Sequence, residues 1–190
     1  MRAVFLGMVA ISIAIPAYAE NPIKNGSFET PAVPKGSFQR FEPGDKIGAW
    51  TVVGGPVELV SDTYADGNFH FNAGRGHQWL NLCADPGEHG GIQQTVRVIA
   101  LEHYALDASL GSVFDPQGAY GSITRAKAHI GGEGHTFSFH AAPSSDGEQQ
   151  WGMGGEMDVA FGSTQRLILE IDGVDLDKDC AIDAVSMDGF

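Results

Sequence analysis

Asn25-Gly26-Ser27-Phe28-Glu29, near the start of the chain, and Cys180-Ala181-Ile182-Asp183-Ala184-Val185, near its end, decide how the fold is read. Each segment sets one carboxylate, Glu29 or Asp183, among residues that belong in an interior. A buried carboxylate needs a metal, another cation or a proton to be tolerated. The two segments are therefore expected to meet, so that the first and last strands of a small β-sandwich close around one bound cation. The competing possibility is that Glu29 and Asp183 pair with Lys24 or Lys46, or face water.

Working inward, the apolar runs are short and broken by turn residues, with 26 glycines and 9 prolines in 190 residues. No long stretch keeps helical spacing without a glycine, so the pattern predicts an all-β sandwich or barrel with little helix. Strands are expected at 49–53, 57–60, 78–82, 91–98, 104–109, 135–141, 157–161, 167–171 and 181–187, with another at 122–130. Side chains alternate across a strand. In Gln78-Trp79-Leu80-Asn81-Leu82 the leucines therefore share one face, and Trp79 with Asn81 the other, which makes Trp79 a candidate for exposure. Segments 42–48, 62–76 and 144–155 read as long loops, where a sandwich carries its specificity.

Met1-Arg2, the apolar run 3–15 and Ala17-Tyr18-Ala19 read as a secretory signal cleaved after residue 19. The run is short for a bilayer span and Pro16 interrupts its end. One domain, 20–190, would remain, exported to the periplasm or beyond, without a membrane span and read as a monomer. The chain carries 11 Lys+Arg against 24 Asp+Glu, a formal charge of −13, and loss of Arg2 with the signal takes it to −14. Binding nucleic acid begins with a positive footprint, so that partner is excluded. An anionic polysaccharide would be repelled unless calcium bridged the two. Cys83 and Cys180 are the only cysteines, and an even count in an oxidising compartment favours one disulfide.

Seven motifs in order resemble a known family. They are Asn25-Gly26-Ser27-Phe28-Glu29, Gly48-Ala49-Trp50, Pro56-Val57-Glu58-Leu59-Val60, Gln78-Trp79-Leu80-Asn81-Leu82, Gly91-Ile92-Gln93-Gln94-Thr95, Tyr104-Ala105-Leu106 and Cys180-Ala181-Ile182-Asp183-Ala184-Val185. Together they look like galactose-binding-like domains of the choice-of-anchor C type, related to a plant cell-wall domain family of unknown function. The resemblance implies a jelly-roll β-sandwich that associates with cell-wall or extracellular polysaccharide without catalysis. It also implies a structural calcium held by Glu29 and Asp183, with a backbone oxygen near Ser27 as a weaker addition. Ala184 stands where the pattern often has a second acid.

Calcium takes six to eight oxygens, several of which can be carbonyls, so two carboxylates from distant segments can suffice. The acidic run 172–179 is no EF-hand, because Cys180 and Ser186 stand where that loop needs glycine and glutamate. It reads as a solvated turn. The seven histidines lack the spacing of a zinc site. A sugar ring stacks its flat apolar face on aromatic side chains while its hydroxyls hydrogen-bond to polar neighbours. Trp79, Asn81, Trp151 and Tyr64 are the candidate ligand-binding residues, with Phe69 and Tyr120 as further aromatics and Arg75, Gln149 or Gln150 as polar contacts. Trp50 is expected in the core. Glycoside hydrolysis needs two carboxylates flanking the bond; Glu58, Asp62, Asp85, Glu88 and Glu156 are available, but nothing pairs them in sequence. The reading is therefore a non-catalytic carbohydrate-binding module, with an adhesion protein as the alternative and a hydrolase behind it.

Overall fold

The period-two apolar runs do become strands, and two sheets face each other across the apolar sides of those strands. The computed structural model describes residues 21–84, 87–144, 146–163, 165–174 and 180–190. The expected signal segment, Asp85 and positions 175–179 of the acidic run lie outside the described residues. The first sheet has six strands in the order β1 (Phe38–Phe41), β4 (Val57–Ser61), β7 (Gln78–Asn81), β14 (Ala181–Gly189), β9 (His103–Ser112) and β12 (Gln150–Ala160). The second, also six-stranded, runs β11 (Glu133–His140), β10 (Ile123–Ile130), β13 (Gln165–Gly173), β8 (Gly90–Val98), β3 (Trp50–Gly54) and β2 (Lys46–Ile47). Every pairing within the sheets is antiparallel. A small hairpin, β5 (Tyr64–Asp66) and β6 (Phe69–Phe71), stands apart as a third sheet.

Leu80, Leu82, Leu106, Leu110 and Ile182 of the first sheet meet Val52, Ile92, Val96, Leu169 and Ile171 of the second in one buried cluster. Trp50 is fully buried there, as expected, and its Nε1 donates to the Asn25 carbonyl at 3.0 Å. Sheet-on-sheet packing with this alternation is the sandwich geometry that the sequence pattern predicts.

The two chain ends do meet, but the N-terminal segment is not a strand. Asn25 and Phe28 sit in the left-handed region, at φ 54° and 55°, and the Phe28 N–H closes a turn on the Asn25 carbonyl. The turn lets Phe28 drop into the core against Trp50, with ring centroids 6.1 Å apart. The Val185 N–H then donates to the Gly26 carbonyl at 2.9 Å. That approach needs glycine, since a β-carbon at position 26 would lie 2.0 Å from the Val185 carbonyl oxygen.

The three expected loops also carry structure, and 42–48 contains β2, which pairs with β3. Segment 62–76 contains the β5–β6 hairpin, turning at Gly67-Asn68 with Gly67 at φ 58°. The second half of 144–155 is the start of β12, whose glycines pass close to the rings of Phe137 and Phe139 on β11. Glycine there reflects backbone packed against aromatic rings, where a loop had been expected. Cys83 and Cys180 form the expected disulfide, with Cα atoms 5.2 Å apart. It staples the residues after β7 to the last strand.

Candidate functional site

Alternation along β7 sends Leu80 into the sandwich and Trp79 and Asn81 to the outer face of the first sheet, as read from sequence. The expected exposure of Trp79 does not follow. Only 2% of Trp79 is accessible, because the β5–β6 hairpin and the residues around Tyr120 cover this part of the outer face. The cover is aromatic. Phe71 stacks on Trp79 at 5.9 Å, Tyr64 and Tyr120 pack on Phe71 at 5.7 and 5.1 Å, and Phe69 meets Tyr120 at 5.1 Å. Outward parity names the face of a sheet, and whether that face is wet depends on what folds over it.

The cover does not close completely. A cavity of about 230 Å³ remains, lined by Phe38, Glu58, Val60, Tyr64, Phe71, Trp79, Asn81, Ala84 and Tyr120. Phe38 is 47% exposed at its edge and stands edge-on to Tyr64 at 5.6 Å. Tyr120 donates its hydroxyl to Asp66 in the hairpin, which joins the cover to the connection after β9. The Trp79 Nε1 is buried without an acceptor. Asn81 is buried as well, and its Oδ1 accepts from the N–H groups of Cys83 at 3.0 Å and Cys180 at 3.2 Å, tying the cavity edge to the disulfide.

Trp79, Asn81 and Tyr64 thus line one cavity, while the other two ligand-binding candidates do not. Trp151 is half-buried beside it, edge-on to Trp79 at 6.3 Å, with its Nε1 donating to the carbonyl and side chain of Asn72. Arg75 is exposed on the loop before β7. Of the further candidates, Gln149 is buried and accepts from the Asn72 N–H, and Gln150 holds Ala142. Phe38, Phe71 and the place of Glu58 in the lining were missed from sequence. The alternation Phe69-His70-Phe71 beyond Asp66-Gly67 is a hairpin signal that would have found Phe71.

The carboxylates from the two ends converge on the loop before β7. Glu29 Oε1 accepts from the His77 and Gln78 N–H groups at 2.8 and 3.1 Å. Asp183 Oδ2 accepts from the Arg75 N–H at 2.7 Å and Oδ1 from the Ala184 N–H at 2.6 Å, with a further contribution from the Gly74 amide. Gly76, at φ 80°, allows the approach, since a β-carbon there would lie 2.3 Å from Glu29 Oε1. Ala184, at φ 49°, belongs to a bulge in β14 that redirects Asp183. Asp183 is wholly buried, and its pKa is pushed up to about 7, first by burial and also by the charge of Glu29, against the opposing pull of the amides. The Lys46 ammonium donates to Thr51, and the Lys24 backbone is held by Gln94.

Do these residues suit a calcium ion? The amides take Oε1 of Glu29, and the charge of this half-buried carboxylate bears on the wholly buried Asp183. Hard oxygen donors of this kind fit calcium. Ser27, the third candidate, is half-buried in the turn that precedes Glu29. Among the described residues there is no cluster of three or more His, Cys, Asp or Glu side chains that could hold a metal, so any cation here would depend on two carboxylates and carbonyls.

An all-β jelly-roll sandwich of this build is the fold of carbohydrate-binding modules. Solved structures similar to it include TmCBM61 in complex with β-1,4-galactotriose (17% identity, 89% of this chain and 98% of that one, TM-score 0.54). Others are the xylan-binding domain from CBM 22 (14%, 91% and 95%, TM-score 0.49) and a family 35 carbohydrate-binding module from Clostridium thermocellum (11%, 80% and 97%, TM-score 0.42). At such identities the likeness is one of fold. The chain itself belongs to the family described as Protein of unknown function (DUF642), whose model matches residues 21–187. No curated protein matches it in sequence. No helix among the described residues is long and apolar enough to cross a membrane.

Proposed function

We propose that this domain is a non-catalytic carbohydrate-binding module for cell-wall or extracellular polysaccharide, working as an exported monomer. The observation that carries the reading is the cavity on the outer face of the first sheet, where five aromatic rings surround a space bordered by the Glu58 carboxylate and the Asn81 amide. Rings supply flat apolar surface for the C–H face of a sugar, and the polar groups orient its hydroxyls. Hydrolysis would require a second carboxylate across the bond, and the described lining carries one, Glu58.

The reading includes a structural calcium at Glu29 and Asp183. Its support is the convergence of the buried Asp183 and the half-buried Glu29 on the loop before β7. The ion would neutralise the pair and so brace the loop that leads into β7. Retention of the purified protein on a panel of neutral and acidic polysaccharides, with calcium and with chelator, tests both statements. Retention on a narrow set, lost in Tyr64→Ala and Tyr120→Ala, is expected. Failure to bind any polysaccharide would overturn the reading in favour of a protein-contacting role.

A further inference from the structure

We propose that the outer face of the second sheet is a separate binding surface for a carboxylate-bearing polysaccharide chain laid across the strands. It lies on the opposite side of the sandwich from the cavity and uses other residues. The strands of this sheet send Ile92, Val96, Leu169 and Ile171 into the core, so alternation turns Gln93, Thr95, Arg97, Arg166, Ile168 and Glu170 outward. The hairpin and Tyr120 cover part of the first sheet, whereas here Thr95, Arg97, Arg166 and even Ile168, 56% accessible, are exposed. Register lines the side chains up. Lys46 stands opposite Thr51, Thr51 opposite Gln93, Gln93 opposite Glu170 and Glu170 opposite His129, one row from β2 through β3, β8 and β13 to β10. At roughly 4.8 Å between strands the row runs about 19 Å, long enough for several sugar rings. In the next row Thr95 opposes Ile168. Depressions of about 250 and 290 Å³ are lined from both rows and share Gln93 and Ile168, so they form one track across the strands.

Charge selects the ligand. The strands of the first sheet carry Glu58, Asp107, Glu156, Asp158, Asp183 and Asp188 against Arg40. Those of the second carry Lys46, Arg97, Arg125, Lys127 and Arg166 against Glu133, Glu170 and Asp172. A chain of net charge −13 thus reverses its sign on this sheet. Lys127 stands opposite Asp172, but Arg97 stands opposite Arg166, one row, roughly 7 Å, beyond Thr95 and Ile168. Among the described residues neither of these exposed arginines is paired with an acid. Like charges directly opposite in a sheet are destabilising. A carboxylate seated between two guanidiniums relieves that repulsion and accepts from both. Gln93, Thr51 and Thr95 offer an amide and hydroxyls to sugar hydroxyls along the same track. A uronate polymer brings both kinds of group, with its charges spaced ring by ring.

Affinity measurements of the purified protein on polygalacturonate and alginate test this, with galactan and xylan as neutral probes and chelator throughout, so that no calcium bridges protein and polymer. Both acidic polymers should bind at low salt. About tenfold or more of that affinity should be lost in the Arg97→Ser/Arg166→Ser double variant, or on raising salt from about 20 to about 300 mM. Lys35→Ser removes one exposed charge outside this sheet and should cost less than about twofold. The two arginines are exposed, so the double variant should melt within about 2 °C of wild type. Absence of acidic binding, or acidic binding undiminished in the double variant, overturns the proposal. Equal losses in Lys35→Ser and the double variant, or dextran sulfate or phosphatidylserine vesicles bound as tightly as the uronates, also overturn it, because the attraction would then be to negative charge of any kind. Binding to galactan and xylan reads the cavity and should be the same in the double variant, so this surface and the carbohydrate-binding reading above can fail separately.

Discussion

Replacing Asp183 by asparagine removes a carboxyl group that the fold keeps wholly buried and whose pKa it raises from 3.8 to about 7. A raised acid favours the folded state in its protonated form. The stabilisation is therefore complete below the unfolded pKa near 4 and is lost as pH climbs through 7, because between those values the unfolded chain holds fewer protons. At about 1.4 kcal/mol per pH unit the full loss is about 4 kcal/mol, of which about 2–3 kcal/mol falls between pH 5 and pH 8. Asparagine does not titrate, but its amino group must face one of the N–H donors from Arg75 or Ala184, at a cost of about 1–3 kcal/mol. Urea denaturation at pH 5, 6, 7 and 8 in chelator should therefore show wild-type stability falling with pH and Asp183→Asn flat. The variant should be weaker at pH 5 and level with the wild type at pH 8. Calcium, by binding the ionised pair, should flatten the wild-type curve and leave the variant alone. A wild-type curve flat in chelator, or an equal slope in Asp183→Asn, would refute the assignment of this burial penalty to Asp183.

Reduction of the Cys83–Cys180 bond, or its replacement by a serine pair, should lower stability by about 2–4 kcal/mol in the same urea assay. Gly26→Ala forces the backbone of one end away from Val185, and a loss of about 1–3 kcal/mol is expected from overpacking alone; an unchanged midpoint would show that the contact gives way freely. Phe38→Ala trims a half-exposed ring at the cavity edge. Its melting temperature should stay close to wild type while glycan retention falls, whereas undiminished retention would place the sugar elsewhere.

The sandwich was legible because its core strands obey a period of two: β4, β7, β8, β10 and β13 lie close to the expected runs. The meeting of the ends was legible too, in two carboxylates each set among apolar residues, although only Asp183 is fully buried. How Glu29 is held was not, since its partners are backbone amides, which every sequence carries. Trp79 shows a related limit. Its parity was readable, yet its burial depends on a hairpin from another part of the chain, written in the alternation of residues 64–71 and hidden there by a Gly-Asn turn inside a polar stretch. β12 escaped for the opposite reason: four of its eleven residues are glycine or alanine, so its first half carries little apolar pattern, and it is held by pairing to β9 and by rings from β11.

The last strand of the chain sits in the middle of its sheet, with β7 on one side and β9 on the other. Until residues 181–189 arrive, those two neighbours present open edges with unpaired backbone groups, a template for association with other chains. Sheet formation therefore cannot run ahead of synthesis. A nascent chain stalled or trimmed before this strand lacks the centre of the sheet, the partner of Cys83 and the brace of the Arg75 loop at once, so truncated products should be cleared or aggregate, without accumulating as partly working domains.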